Sequence, residues 1–183
     1  MLGLGNSLMS SGIVKTLHFS YQSDFTSDDN NWHKSESLHA GTPTITANQG
    51  TGDASDGTGW LKIVYGADQP FPNSGGIARD MITSPDLFRS NDFIVVSFKI
   101  KLIHNGVDDH WGGTDDVGLH MTPGNFTLLE NISLNTTHTI ESSFNLNFNT
   151  ADRKLRLKFN SNGDRPFAGA TWYLKDFSIQ VFR

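Results

Sequence analysis

The residues best equipped for chemistry crowd one short segment, where Asp108, Asp109, His110 and Trp111 are followed by Asp115 and Asp116. Loop carboxylates suit a hard cation that takes oxygen ligands, and an indole among polar neighbours can stack on a sugar face. The spacing does not match an EF-hand loop, so these acids read first as a solvated loop. Two nearby carboxylates also invite glycoside hydrolysis. That reaction needs one acid with a raised pKa, and so polar a loop cannot desolvate one. Trp111 sits in H-W-G-G with no evident core to fill. With His110 and Asp109 beside it, it is a candidate ring for stacking on a glycan. Trp32, in N-N-W-H, has the same character. The competing assignment makes both rings lids over the ends of a core.

Other chemistries find little support. The seven His residues form no compact metal triad on one strand, and no Walker loop, dinucleotide fingerprint, H-E-x-x-H or G-x-S-x-G is present. Cysteine is absent, which removes disulfides, thiolate metal sites and cysteine nucleophiles together. The net charge of -5 comes with no run of Lys or Arg, so nucleic acid and anionic membranes are not expected partners. No apolar run approaches the ~20 residues of a transmembrane helix, and the opening residues lack a cationic start followed by an unbroken apolar run. The expectation is a non-enzymatic protein.

The elements that must position these residues are short strands. Ile94, Val96, Phe98, Ile100 and Leu102 alternate with Val95, Ser97, Lys99 and Lys101, which predicts a central strand whose far face reaches solvent. Leu17, Phe19 and Tyr21 share a face of a strand over Val14–Tyr21, and Leu155, Leu157 and Phe159 share another. Residues 35–46 could form a short strand ending at Ile45-Thr46, 60–65 read as a strand holding Trp60, and Ser84–Ser90 could make one helical turn. Gly66–Gly76 is rich in Pro and Gly and reads as excluded from a central strand. In the last stretch, Trp172 and Leu174 keep one parity while Phe177, Ile179 and Val181 keep the other. One change of phase, at Lys175-Asp176, predicts a bulge. Eight to ten such strands without a long amphipathic helix predict one all-β antiparallel β-sandwich, a jelly roll, over residues 13–183. Residues 1–12 read as a flexible N-terminal assembly arm, with Leu2, Leu4 and Leu8 available to a neighbour's groove.

The closing Trp172-Tyr173-Leu174-Lys175-Asp176-Phe177-Ser178-Ile179 resembles the last strand of carbohydrate-binding-module and galactose-binding-like jelly rolls. That resemblance implies a structural calcium at Asp176, with Asp24 of Y-Q-S-D-F as its partner ahead of the loop that ends in Trp32. The opening L-G-L-G-N-S-L resembles the starts of structural proteins of tailed phages. It implies a virion component, such as a capsid decoration, head fibre or tail part, in a homo-oligomer or symmetric array with other virion proteins. The alternative is a carbohydrate-binding module, extracellular or on a cell surface, that recognises a polysaccharide through exposed aromatics.

Overall fold

The computed structural model describes residues 7–10, 13–35, 42–66, 74–81, 87–104, 116–121, 124–130, 132–149, 154–160 and 170–183. It is an antiparallel β-sandwich of two sheets, the expected fold class. The larger sheet has seven strands: β1 (Ser7–Ser10), β2 (Ile13–Ser23), β4 (Thr44–Gln49), β5 (Trp60–Val64), β7 (Phe93–His104), β10 (Thr137–Asn145) and β12 (Ala170–Phe182). The smaller has five, in the order β3 (His33–Lys34), β6 (Ser74–Asp80), β11 (Lys154–Asn160), β8 (Asp116–Met121), β9 (Gly124–Leu129).

Strand β12 is the spine of the larger sheet. Along one side it pairs with β7; along the other it pairs with β5 through Thr171–Leu174 and with β2 through Phe177–Phe182. The predicted change of phase is there. The register against β7 shifts between Lys175 and Ser178, and Asp176 takes a φ of 53°, a left-handed conformation that Asp tolerates better than most residues. Trp172 and Leu174 before the bulge, and Phe177, Ile179 and Val181 after it, therefore all face the other sheet and are buried.

The core between the sheets follows the sequence alternation. Ile94, Val96, Phe98 and Ile100 of β7 meet Leu155, Leu157 and Phe159 of β11 and Ile77, Val117 and Leu119 from its neighbours, all buried. Phe159 stacks on Trp172 with centroids 4.6 Å apart, and Phe98 on Phe177 at 5.7 Å. At one lateral edge Phe126 of β9 stacks on Phe144 of β10 at 4.2 Å and ties the sheets together.

Three expectations change. Ser7–Ser10, placed in a flexible arm, pairs with Ile13–Thr16 in a hairpin. A domain boundary at residue 12 would cut that hairpin. Of the arm's leucines, Leu8 lies in β1 opposite Lys15, and Leu2 and Leu4 lie outside the described residues. Second, Gly75 and Gly76, read as excluded from a central strand, belong to β6 between β3 and β11. A strand tolerates glycine where a large neighbour fills the face, and Gly75 lies across from Phe159. Third, the strand sought within 35–46 is two elements, β3 before it and β4 overlapping its end. The helical turn expected from Ser84 falls largely outside the described residues.

Candidate functional site

The loop after β2 shapes one end of the sandwich. Asp24 Oδ1 accepts from the Thr26 amide at 3.1 Å and its hydroxyl at 2.9 Å, and Asp28 Oδ1 accepts from the Asn30 amide at 2.8 Å. These side chains cap their own backbone, which folds the polar segment back over the sandwich. Trp32 drops beneath it. Its ring is 2 % exposed, lies edge-on to Phe177 at 5.3 Å, and donates from Nε1 to Tyr21 Oη at 3.1 Å. The assignment of Trp32 as a glycan-stacking ring is therefore corrected: it is a core lid with no face open to a sugar. Burial in the same cluster raises the Tyr21 pKa, against lowering contributions from Arg79 and the Trp32 hydrogen bond. Trp111, His110 and Asp109 lie outside the described residues.

Asp24 and Asp176 come together. They line one cleft of about 430 Å³ with Gln22, Ser23, Ser27, Asn30 and Ser178. Hydrogen bonds from the Thr26 amide and hydroxyl hold the Asp24 carboxyl below its ordinary value. Asp176 Oδ2 accepts from Lys99 Nζ at 2.9 Å, so an internal cation already bears on one of the two acids. The donor set is all oxygen, as calcium prefers. Among the described residues no group of three or more His, Asp or Glu gathers around a metal-sized point.

The cleft continues into a trough of about 460 Å³ on the outer face of the larger sheet, lined by Gln22, Val95, Ser97, Glu141, Ser143, Ser178 and Gln180 among others. Register explains the lining. Gln22, Ser178, Ser97 and Glu141 form one row across β2, β12, β7 and β10, and Ser20, Gln180, Val95 and Ser143 form the next. With strands about 4.8 Å apart, each row spans roughly 15 Å; the first carries amide and hydroxyl groups with Glu141 at one end, and the second carries Val95 among them and no carboxylate.

A second polar centre lies farther along β7, beyond the Lys99–Asp176 pair. The segment Gly50–Gly59, with a 3₁₀ turn at Ala54–Asp56, folds over the sheet's outer face. Lys101, only 4 % exposed, donates to Asp56 Oδ2 at 2.7 Å; Thr51 and Thr137 hydroxyls donate to the same carboxylate at 2.5 and 2.9 Å. Burial pushes the Asp56 pKa up, but those hydrogen bonds and the Lys101 charge outweigh it, and the net shift is downward. Trp60 is buried here, outside the core between the sheets: its ring meets Tyr173 edge-on at 6.5 Å, its Nε1 donates to the Asp56 carbonyl at 3.1 Å, and Lys175 Nζ lies 5.5 Å above it. Sequence reasoning passed over this centre. Its signal was D-x-x-D before a Gly-flanked Trp, with a lysine on the outward parity of β7.

No protein-family model matches the chain, and no curated protein matches it. Solved structures do. The C-terminal family 22 carbohydrate-binding module of Clostridium thermocellum Xyn10B matches with a TM-score of 0.55 at 12 % identity, over 88 % of this chain and 92 % of that one. The CBM22-1 xylan-binding domain of Paenibacillus barcinonensis Xyn10C matches at 0.51 and 14 % identity, over 91 % and 95 %. A C. thermocellum xylanase chain holding CBM22-1 and GH10 modules, complexed with xylohexaose, matches at 0.52 and 9 % identity; the match covers 87 % of this chain but 27 % of that longer one. The chain thus has an all-β jelly-roll fold resembling that of non-catalytic carbohydrate-binding modules. Part of the apolar N-terminal segment on which the virion reading leans is a strand of the larger sheet.

Proposed function

We propose that the chain is a non-catalytic carbohydrate-binding module that holds an extended polysaccharide in the trough on the outer face of its larger sheet. The observation that carries this reading is the row Gln22, Ser178, Ser97 and Glu141, uncharged but for its last member and continuous with the cleft beside it. Amides and hydroxyls on adjacent strands match sugar hydroxyls as alternating donors and acceptors, and the short Ser side chains keep the floor open. Such a module works outside the cell or on its surface, where polysaccharides are met. Trp111, with His110 and Asp109, remains the candidate stacking ring.

The test is a glycan array on the full chain, followed by calorimetry on the best polysaccharide. Glu141→Ala and Gln22→Ala should each weaken binding about ten-fold with the melting temperature unchanged, since both side chains are exposed. Trp111→Ala should abolish it if the ring stacks. Binding that ignores Glu141 and Gln22 removes the trough from the proposal.

Calcium between Asp24 and Asp176 is a separate part of the reading. An ion there would fix the loop after β2 against the bulge of β12. Because Lys99 competes for Asp176, affinity should fall at the weak end known for extracellular modules, Kd of about 10⁻⁴–10⁻³ M. Titration of metal-stripped protein should give heat and a raised melting temperature; neither response would reject the site.

A further inference from the structure

The charges around the trough are unequally answered. Glu141 is exposed in the middle of β10, opposite Ser97, and among the described residues no cation meets it. The lysines of this sheet face are already engaged. Lys99, two residues from Ser97 on β7, gives its ammonium to Asp176 at 2.9 Å. Lys101 gives its own to Asp56 at 2.7 Å, and Lys175 donates to the carbonyls of Thr58 and Asp56 at 2.7 and 3.3 Å. At the far end Lys15 donates to the Asn91 carbonyl, and Arg183 pairs with Asp92 at 2.9 Å. Lys62 stands on β5 in the row of Lys101, roughly 14 Å along the strands from the row of Ser97, which is farther than a Debye length at physiological salt.

The trough therefore keeps one uncompensated charge, and it is negative. A carboxylate only accepts hydrogen bonds, so sugar hydroxyls can donate to Glu141 while a second carboxylate cannot. Where a polymer carries an acid at that place, two acceptors of like charge face each other with no lysine free to sit between them. Asp24, in the adjoining cleft, adds to the same field. It accepts from the Thr26 amide and hydroxyl, and among the described residues no cation pairs with it. A net charge of -5 on the chain points the same way.

We propose that Glu141 determines specificity by charge, so that the trough takes neutral polysaccharides and rejects those carrying carboxylates. This deepens the trough reading and rests on it. Glu141 then has two separable parts: an oxygen that accepts from a sugar hydroxyl, and a charge that repels an acidic chain. Glutamine in its place keeps the acceptor and loses the charge. The Lys99–Asp176 pair contributes by holding a second carboxylate neutralised at the mouth of the cleft.

The probe is the neutral polysaccharide held best on the glycan array, compared with lightly carboxymethylated and lightly quaternised samples of the same polymer. Calorimetry on the full chain is run above the range in which histidine titrates. At low salt the carboxymethylated polymer should bind about ten-fold more weakly than the neutral one, and the gap should close in molar salt, where the Debye length is about 3 Å. The quaternised polymer should lose nothing, which separates charge from bulk. In Glu141→Gln the ratio of neutral to carboxymethylated affinity should fall to about two, whatever each affinity does alone. Lys99→Met strips Asp176 of its counter-ion and should widen the ratio. Melting scans show whether each variant folds; if Glu141→Gln does not, Lys99→Met decides. A parent chain that binds both polymers alike, or a ratio unchanged in Glu141→Gln, overturns the inference. Neutral binding that still weakens in Gln22→Ala would then leave the trough reading standing. If no neutral polysaccharide binds, or binding ignores Gln22 and Glu141 alike, the trough reading falls and this inference with it.

Discussion

Single residues set the sharpest energetic constraints. Phe98 is 2 % exposed and stacked on Phe177, so Phe98→Ala should destabilise the fold by roughly 3–5 kcal/mol, read by denaturant unfolding. Asp56 and Lys101 form a pair whose partners are each enclosed by other groups. Removing one strands the other in a poor dielectric, and Lys101→Ala should cost roughly 3 kcal/mol, whereas the double replacement should cost less than the sum of the single ones. The pair also makes stability depend on acid. The folded pKa of Asp56 lies below the ordinary carboxylate value of 3.8. Its contribution is therefore complete above that value and disappears as pH falls through the depressed one. Melting temperature plotted against pH should drop more steeply on the acid side for the parent chain than for Asp56→Asn. Parallel curves would remove Asp56 from the acid response.

At the scale of elements, β12 succeeds as a spine because it changes phase once. One extra residue at Lys175-Asp176 lets both halves bury their apolar side chains against the same sheet. Deleting Asp176 would put Phe177, Ile179 and Val181 on the wrong face, since side chains alternate with a period of two. The deletion variant should give no cooperative unfolding transition and no dispersed amide spectrum; a native-like spectrum would mean the bulge is dispensable. The β1–β2 hairpin makes a gentler claim. Removing residues 1–12 takes away β1 and bares the edge of β2, so the melting temperature should fall by several degrees with the fold retained. An unchanged melting temperature would return the segment to the role of an arm.

For the whole molecule, one core joins the two sheets, and the buried Trp60 centre fastens a long loop to the outside of the larger one. Both the core and this outer centre depend on β5, β7 and β12. Tryptophan fluorescence, which reports Trp32, Trp60 and Trp172 among others, and far-ultraviolet circular dichroism should therefore trace one coincident unfolding curve. Two separated transitions would show that the outer centre melts independently. On the outer face of the larger sheet the same architecture sets the hydroxyl-rich rows of the trough beside the Lys99–Asp176 and Lys101–Asp56 pairs.

Alternation alone determined the sandwich. The periods of Ile94–Leu102 and Leu155–Phe159, and the phase change before Phe177, are local facts of the chain, and burial on one face follows wherever a strand has one apolar side. Resemblance, not spacing, put Asp24 and Asp176 in one place; the two do line one cleft, while calcium between them is a proposal. What the sequence could not give was whatever depends on which strands become neighbours. Trp32 looked exposed because its own neighbours are polar; only the fold of its loop over Tyr21 and Phe177 buries it. The trough is built of rows across strands, joining residues as distant as Gln22 and Glu141, and no pattern along the chain records that adjacency. Lys101 and Asp56 likewise meet only once β7 and the loop before β5 share a sheet face. Period is written residue by residue, whereas lateral order is decided by which hydrophobic faces close on each other, and so it belongs to the tertiary structure.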